Sequence, residues 1–95
     1  MVDLRSKETD QLFKAMMKFE SIDEYYAFFE DLCTVKEIKD MSQRFNVAIL
    51  LNEGKSYVEV SKEGNASNAT ISRIKKCLDF GAGGYKNAIS KIEEE

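Results

Sequence analysis

The chain contains no histidine, proline or tryptophan, and only two cysteines and five glycines among its 95 residues. Without histidine, the commonest general base and imidazole metal ligand is missing, and Cys33 and Cys77 alone have no metal-type spacing. No glycine-rich phosphate loop follows a strand pattern, and no nucleophile has an evident base nearby. We therefore expect no enzyme, no catalytic residue, no metal and no cofactor. The two cysteines read as reduced core thiols, because free cysteine is among the most buried residue types. No run of about 18 apolar residues is available to span a membrane. Met1-Val2-Asp3-Leu4-Arg5 lacks the apolar run of a secretory leader, so a cytoplasmic location is expected.

Hydrophobic residues make up 43% of the chain and charged residues 33%, enough apolar surface for one folded domain spanning 1–95. A lone domain of this size buries only about 60% of its unfolded surface, so pairing with a second copy is a natural source of stability. The net charge of −3 argues against an indiscriminate polyanion binder. Its distribution is uneven. Residues 1–40 carry six basic and ten acidic side chains, whereas residues 41–95 carry eight and seven. Within 55–76, Lys55, Lys62, Arg73, Lys75 and Lys76 stand against Glu59 and Glu63, leaving a local excess of three positive charges.

Apolar residues recur at steps of three and four with no competing strand pattern, so the expected fold class is all-α with six helices. A first helix is predicted over about 3–19, with Leu12, Phe13, Met16, Met17 and Phe19 on or beside one face and Leu4 extending it. Ser21-Ile-Asp-Glu24, Thr34-Val-Lys-Glu37 and Ser56-Tyr-Val-Glu59 each have the Ser/Thr-x-x-Glu spacing of a capping box, which marks three helix starts. The second helix carries Tyr25, Tyr26, Phe28, Phe29 and Leu32. The third carries Ile38, Met41, Phe45, Ala48 and Leu51 and stops near Asn52–Gly54. Val47, Ile49 and Leu50 make that helix apolar on more than one side, as suits a dimer core or a central position within a monomer. Gly81-Ala-Gly-Gly84 forms a loop before a last helix with Tyr85, Ala88, Ile89 and Ile92, which frays in the charged, solvated tail Glu93-Glu-Glu95.

Between Ser56 and Leu78 the pattern is two short helices joined by a tight turn, the arrangement that sets a recognition helix in the major groove. Val60, Ala66, Ile71 and Ile74 suit the packed side, and Ser61 is small where the helices approach. Asn65 takes the place of the usual turn glycine, since asparagine tolerates positive φ. Ser67 is the expected N-cap, leaving Asn68, Ala69, Thr70 and Ser72 outward for base edges. Ser67, Arg73, Lys75 and Lys76 are expected at phosphates, and Lys55 and Ser56 complete the DNA-binding set.

The residues Asp31-Leu-Cys-Thr-Val-Lys-Glu37, Gln43-Arg44 and Ala69-Thr-Ile-Ser-Arg73 resemble the Trp repressor family, specifically its smaller bacterial tryptophan-repressor-related branch. The resemblance implies an intertwined homodimer that presents two reading heads to a double-stranded operator, usually as a repressor. It also implies a possible effector pocket of Thr34, Arg44, Arg73, Ile74 and Cys77, in which the two arginines would flank an indole. Ile74 stands where the family has a glycine and Cys77 where it has a serine. A branched side chain in a flat slot overpacks it, so tryptophan is not the expected effector, and none is identified. Arg44 also fits an ordinary solvated arginine. The rival reading is a helical protein-interaction module in which the aromatic surface of 25–32 docks another protein.

Overall fold

The computed structural model describes residues 3–94, in which six helices and no strand occur. The chain divides into two compact units, Met1–Val35 and Lys36–Glu95.

The first unit holds α1 (Lys7–Met16) and α2 (Ile22–Leu32). Ser6 is extended at φ −159° and accepts the Thr9 N–H at 3.0 Å, which fixes where α1 begins. At the other end, turn bonds from Lys18 to Ala15 and from Phe19 to Met16 replace helical ones. The predicted helix over 3–19 was therefore too long at both ends, and Leu4, ahead of the cap, does not extend its face. Ser21 caps α2 by accepting the Glu24 N–H, but the Glu24 carboxylate takes the N–H of Glu20 rather than that of Ser21. The expected reciprocal box is thus displaced by one residue.

Phe19 meets Tyr25 edge-on at 4.8 Å and Phe28 at 5.3 Å, and the Tyr25 hydroxyl donates to the Met16 carbonyl. This aromatic corner joins the two helices. Yet none of the described side chains in the unit is buried, and Phe13, Met17, Ile22 and Tyr26 are exposed. Two helices enclose little by themselves. For that reason Cys33 is only half-buried, contrary to the expected core thiol.

The second unit contains α3, which starts at the unit boundary (Val35–Asn52), α4 (Tyr57–Gly64), α5 (Asn68–Phe80) and α6 (Gly84–Glu93). Val47, Ala48, Leu50 and Leu51 of α3 form one core with Val60, Ala66, Ile71, Ile74, Leu78 and Ile89. Burial on several sides of the C-terminal half of α3 follows from the apolar run 47–51. Gly54, at φ +87°, carries the chain out of α3. Close packing also explains Gly64: a Cβ there would meet Val47 Cγ2 at 3.0 Å, so glycine lets α4 approach α3. Tyr85 of α6 stacks on Phe45 of α3 at 6.4 Å. Cys77 is exposed, because it lies a quarter turn off the line of Ile74 and Leu78, so it too is not a core thiol. Glu94 caps α6, and Glu95 of the expected tail lies outside the described residues, as do Met1 and Val2. Among the described residues no helix is long and apolar enough to cross a membrane.

Candidate nucleic-acid interface

The segment from Ser56 to Leu78 folds as two helices around a three-residue turn. Ser56 accepts the Glu59 N–H at 3.2 Å while the Glu59 carboxylate accepts the Ser56 N–H at 3.2 Å, the reciprocal box anticipated from spacing. These bonds hold the Glu59 carboxyl below its ordinary pKa. At the far end of α4, Asn65 adopts φ 50° and ψ 47°, the left-handed conformation its side chain tolerates.

Three carbonyls of the turn are served by side chains. Gln43 of α3 donates its amide N–H groups to Asn65 O at 2.6 Å and, more weakly, to Gly64 O at 3.4 Å, and the Ser61 hydroxyl donates to Ala66 O at 3.1 Å. Gln43 was visible in the sequence as part of a family-like pair. Its contact with the turn was not, because partners 22 residues apart leave no periodic signal.

Ser67 caps α5 by accepting the Thr70 N–H at 3.2 Å, and its own hydroxyl proton goes to Thr70 Oγ1 at 3.1 Å. Ile71, Ile74 and Leu78 point into the core. The opposite side of α5 presents Asn68, Ala69, Ser72, Arg73 and Lys76, all exposed. Thr70 departs from the expected fully outward position: it sits half-buried on the flank, one helical turn before the buried Ile74, and meets the Ser67 hydroxyl.

The basic residues also separate into two groups. Lys55 places its ammonium 2.9 and 2.8 Å from the two oxygens of Glu63, a contact that raises its pKa. Lys75 pairs with Asp79 at 3.2 Å. Lys62, Arg73 and Lys76 form no ion pair among the described residues, so these three supply the uncommitted positive charge of the segment. Lys62, exposed on α4, entered the charge count but not the expected site.

The residues expected at an effector pocket differ in burial. Ile74 is 2% exposed in the core, Arg44 is half-buried, and Arg73 and Thr34 are exposed, Thr34 belonging to the first unit. Cys77 lines a shallow apolar recess with Gly81, Ala82, Gly84 and Tyr85, to which none of the other four contributes. No group of three or more metal-ligating side chains occurs among the described residues.

Residues 7–93 match the Trp repressor protein family. The chain belongs to that family. It is 45% identical over 91 residues to the uncharacterised protein YerC of Bacillus subtilis (strain 168), covering 96% of this chain and 88% of YerC. A candidate Trp repressor from Staphylococcus aureus has a crystal structure similar to this chain with a TM-score of 0.90 at 41% identity, covering 97% of this chain and 92% of that one. A TrpR-like protein from Eubacterium eligens ATCC 27750 also gives 0.90, at 40% identity over 95% and 93% of the two chains. Membership of the Trp repressor family associates the chain with regulators rather than enzymes.

Proposed function

We propose that this Trp repressor family member is a sequence-specific regulator that binds a double-stranded operator as a homodimer and represses from it. The carrying observation is the outer face of α5, where Asn68, Ala69 and Ser72 stand exposed on a capped helix anchored through Ile71 and Ile74. Asn68 suits adenine, Ala69 a thymine methyl and the Ser72 hydroxyl either partner, whereas Arg73 and Lys76 suit phosphates. Lys55, Ser56, Ser67, Thr70 and Lys75 form the supporting rim, with Lys55 and Lys75 exchanging their carboxylate partners for phosphate.

Dimerisation is supported by the first unit, whose helices bury nothing internally while Phe13, Met17, Ile22 and Tyr26 face outward. Such a surface needs a partner, and a second copy interlocked with the first suits the family. The same surface is what the protein-interaction reading would use. Tryptophan is not the effector in our reading, because Ile74, buried in the core, stands where the family resemblance calls for a glycine beside the indole. Thr34, Arg44, Arg73 and Cys77 remain the candidate residues for another small effector, and the protein acts in the cytoplasm.

Selection from a random duplex pool tests the reading. The chain should enrich one motif, and Asn68→Ala should relax that motif at one base pair with a loss equivalent to about 1–3 kcal/mol. Enrichment of no motif by a folded dimer would favour the protein-interaction module.

A further inference from the structure

We propose that Gln43 is a positioning residue for DNA reading: its side chain straps the turn between α4 and α5 to α3 and so fixes how the reading helix is presented. This rests on the DNA-binding function proposed above and adds the device that aims it.

The last carbonyls of a helix have no partner within it and are normally met by backbone amides beyond the C-cap or by water. Here no backbone N–H among the described turn bonds serves Gly64, Asn65 or Ala66. Gln43 supplies both carbonyls at the α4 exit, and Ser61 supplies the third. Of these donors, Gln43 alone comes from outside the two-helix unit, so it ties that unit to the rest of the core.

A second observation places a contact beside the strap. Val47 lies one helical turn after Gln43 on the same face of α3, and it is Val47 that a Cβ at residue 64 would strike. The exit of α4 is thus seated on α3 by close packing at Gly64–Val47 and by hydrogen bonds at Gln43–Asn65. Packing fixes the approach distance but permits rotation about the contact. A directional bond one turn away removes that freedom. Two reading heads must meet successive grooves about one duplex turn apart, so an error in the angle of α5 is paid in operator affinity, while contacts that ignore sequence tolerate it.

Gln43→Met in the full-length chain removes the donor at nearly constant volume. We expect the carbonyl carbon resonance of Asn65 to move towards that of an unbonded peptide group. Affinity for the selected duplex should fall roughly tenfold, with affinity for a scrambled duplex and molecular mass close to wild type, and the melting temperature should fall by no more than a few degrees because the bond to Asn65 is exposed and water can replace it. Equal losses on both duplexes, or none on either, would overturn the strap. So would an unmoved Asn65 resonance. Should Gln43→Met fail to fold, Gln43→Asn keeps the amide but shortens its reach by one methylene, and the same readouts apply. If the wild-type chain distinguishes no duplex, the DNA-binding reading falls by itself, and the Asn65 resonance still decides whether Gln43 holds the turn.

Discussion

The Ser61 hydroxyl donates to the carbonyl of Ala66 at 3.1 Å, closing the turn from within the helix pair while Asn65 between them stands at φ 50°. Both ends of this bond are at least partly shielded, and Ala66 is 8% exposed. Removing the donor leaves a carbonyl with no replacement. Ser61→Ala should therefore cost about 1 kcal/mol, a fall of roughly 4–8 °C in melting temperature. Asn65→Gly should be tolerated in the same assay because glycine adopts positive φ freely, whereas Asn65→Val should cost more than either. Equal melting temperatures for the glycine and valine variants would contradict the left-handed turn.

Acid should loosen the start of α4. The Glu59 carboxyl is held below its ordinary pKa by its backbone and side-chain bonds with Ser56, so its contribution is present above the unfolded-state value and lost as pH falls through the folded one. Comparing melting temperatures of wild type and Glu59→Ala between neutral and acidic pH checks this. The gap between them should close on acidification, and a constant gap would show that the carboxylate form is not what matters.

In the proposed complex, Asp79 would compete with a DNA phosphate for Lys75. The two pair at 3.2 Å, and Lys75 and Asp79 lie along the same side of α5 as Asn68 and Ser72. Asp79→Asn should strengthen binding to scrambled and selected duplex alike. The gain in affinity should be about the same on both, because phosphate contacts carry no sequence information. Unchanged affinity on both duplexes would place Lys75 away from the DNA.

Tryptophan at millimolar concentration should not raise the melting temperature or tighten DNA binding, because a ligand stabilises only a state that it binds. Ile74, 2% exposed in the core, would have to move to admit an indole beside it. Calorimetric titration reads this directly, and saturable heat would refute it.

Much of the reading unit was legible because its signals are local. The capping box at Ser56, the cap at Ser67, the left-handed Asn65 and the inward stripe of Ile71, Ile74 and Leu78 each follow from residue type at short spacing. What escaped depends on distant partners or competing bonds. Gln43 reaches a turn 22 residues away, Lys55 is met by Glu63, and Thr70 meets the Ser67 hydroxyl. Cysteine burial was misjudged because residue preference says nothing of which quarter of a helix a side chain occupies. The first helix was overextended because its apolar spacing continued past Ser6, whose side chain caps the start, and past Met17, where backbone turn bonds end it.

Footprinting on the motif recovered by selection decides whether paired α5 helices read DNA. Two protected half-sites should appear, related by a two-fold axis and about one duplex turn apart, and Asn68→Ala and Arg73→Ala should weaken them together in a protein that remains dimeric. A single or absent footprint from a well-folded dimer, indifferent to both substitutions, would contradict such paired reading.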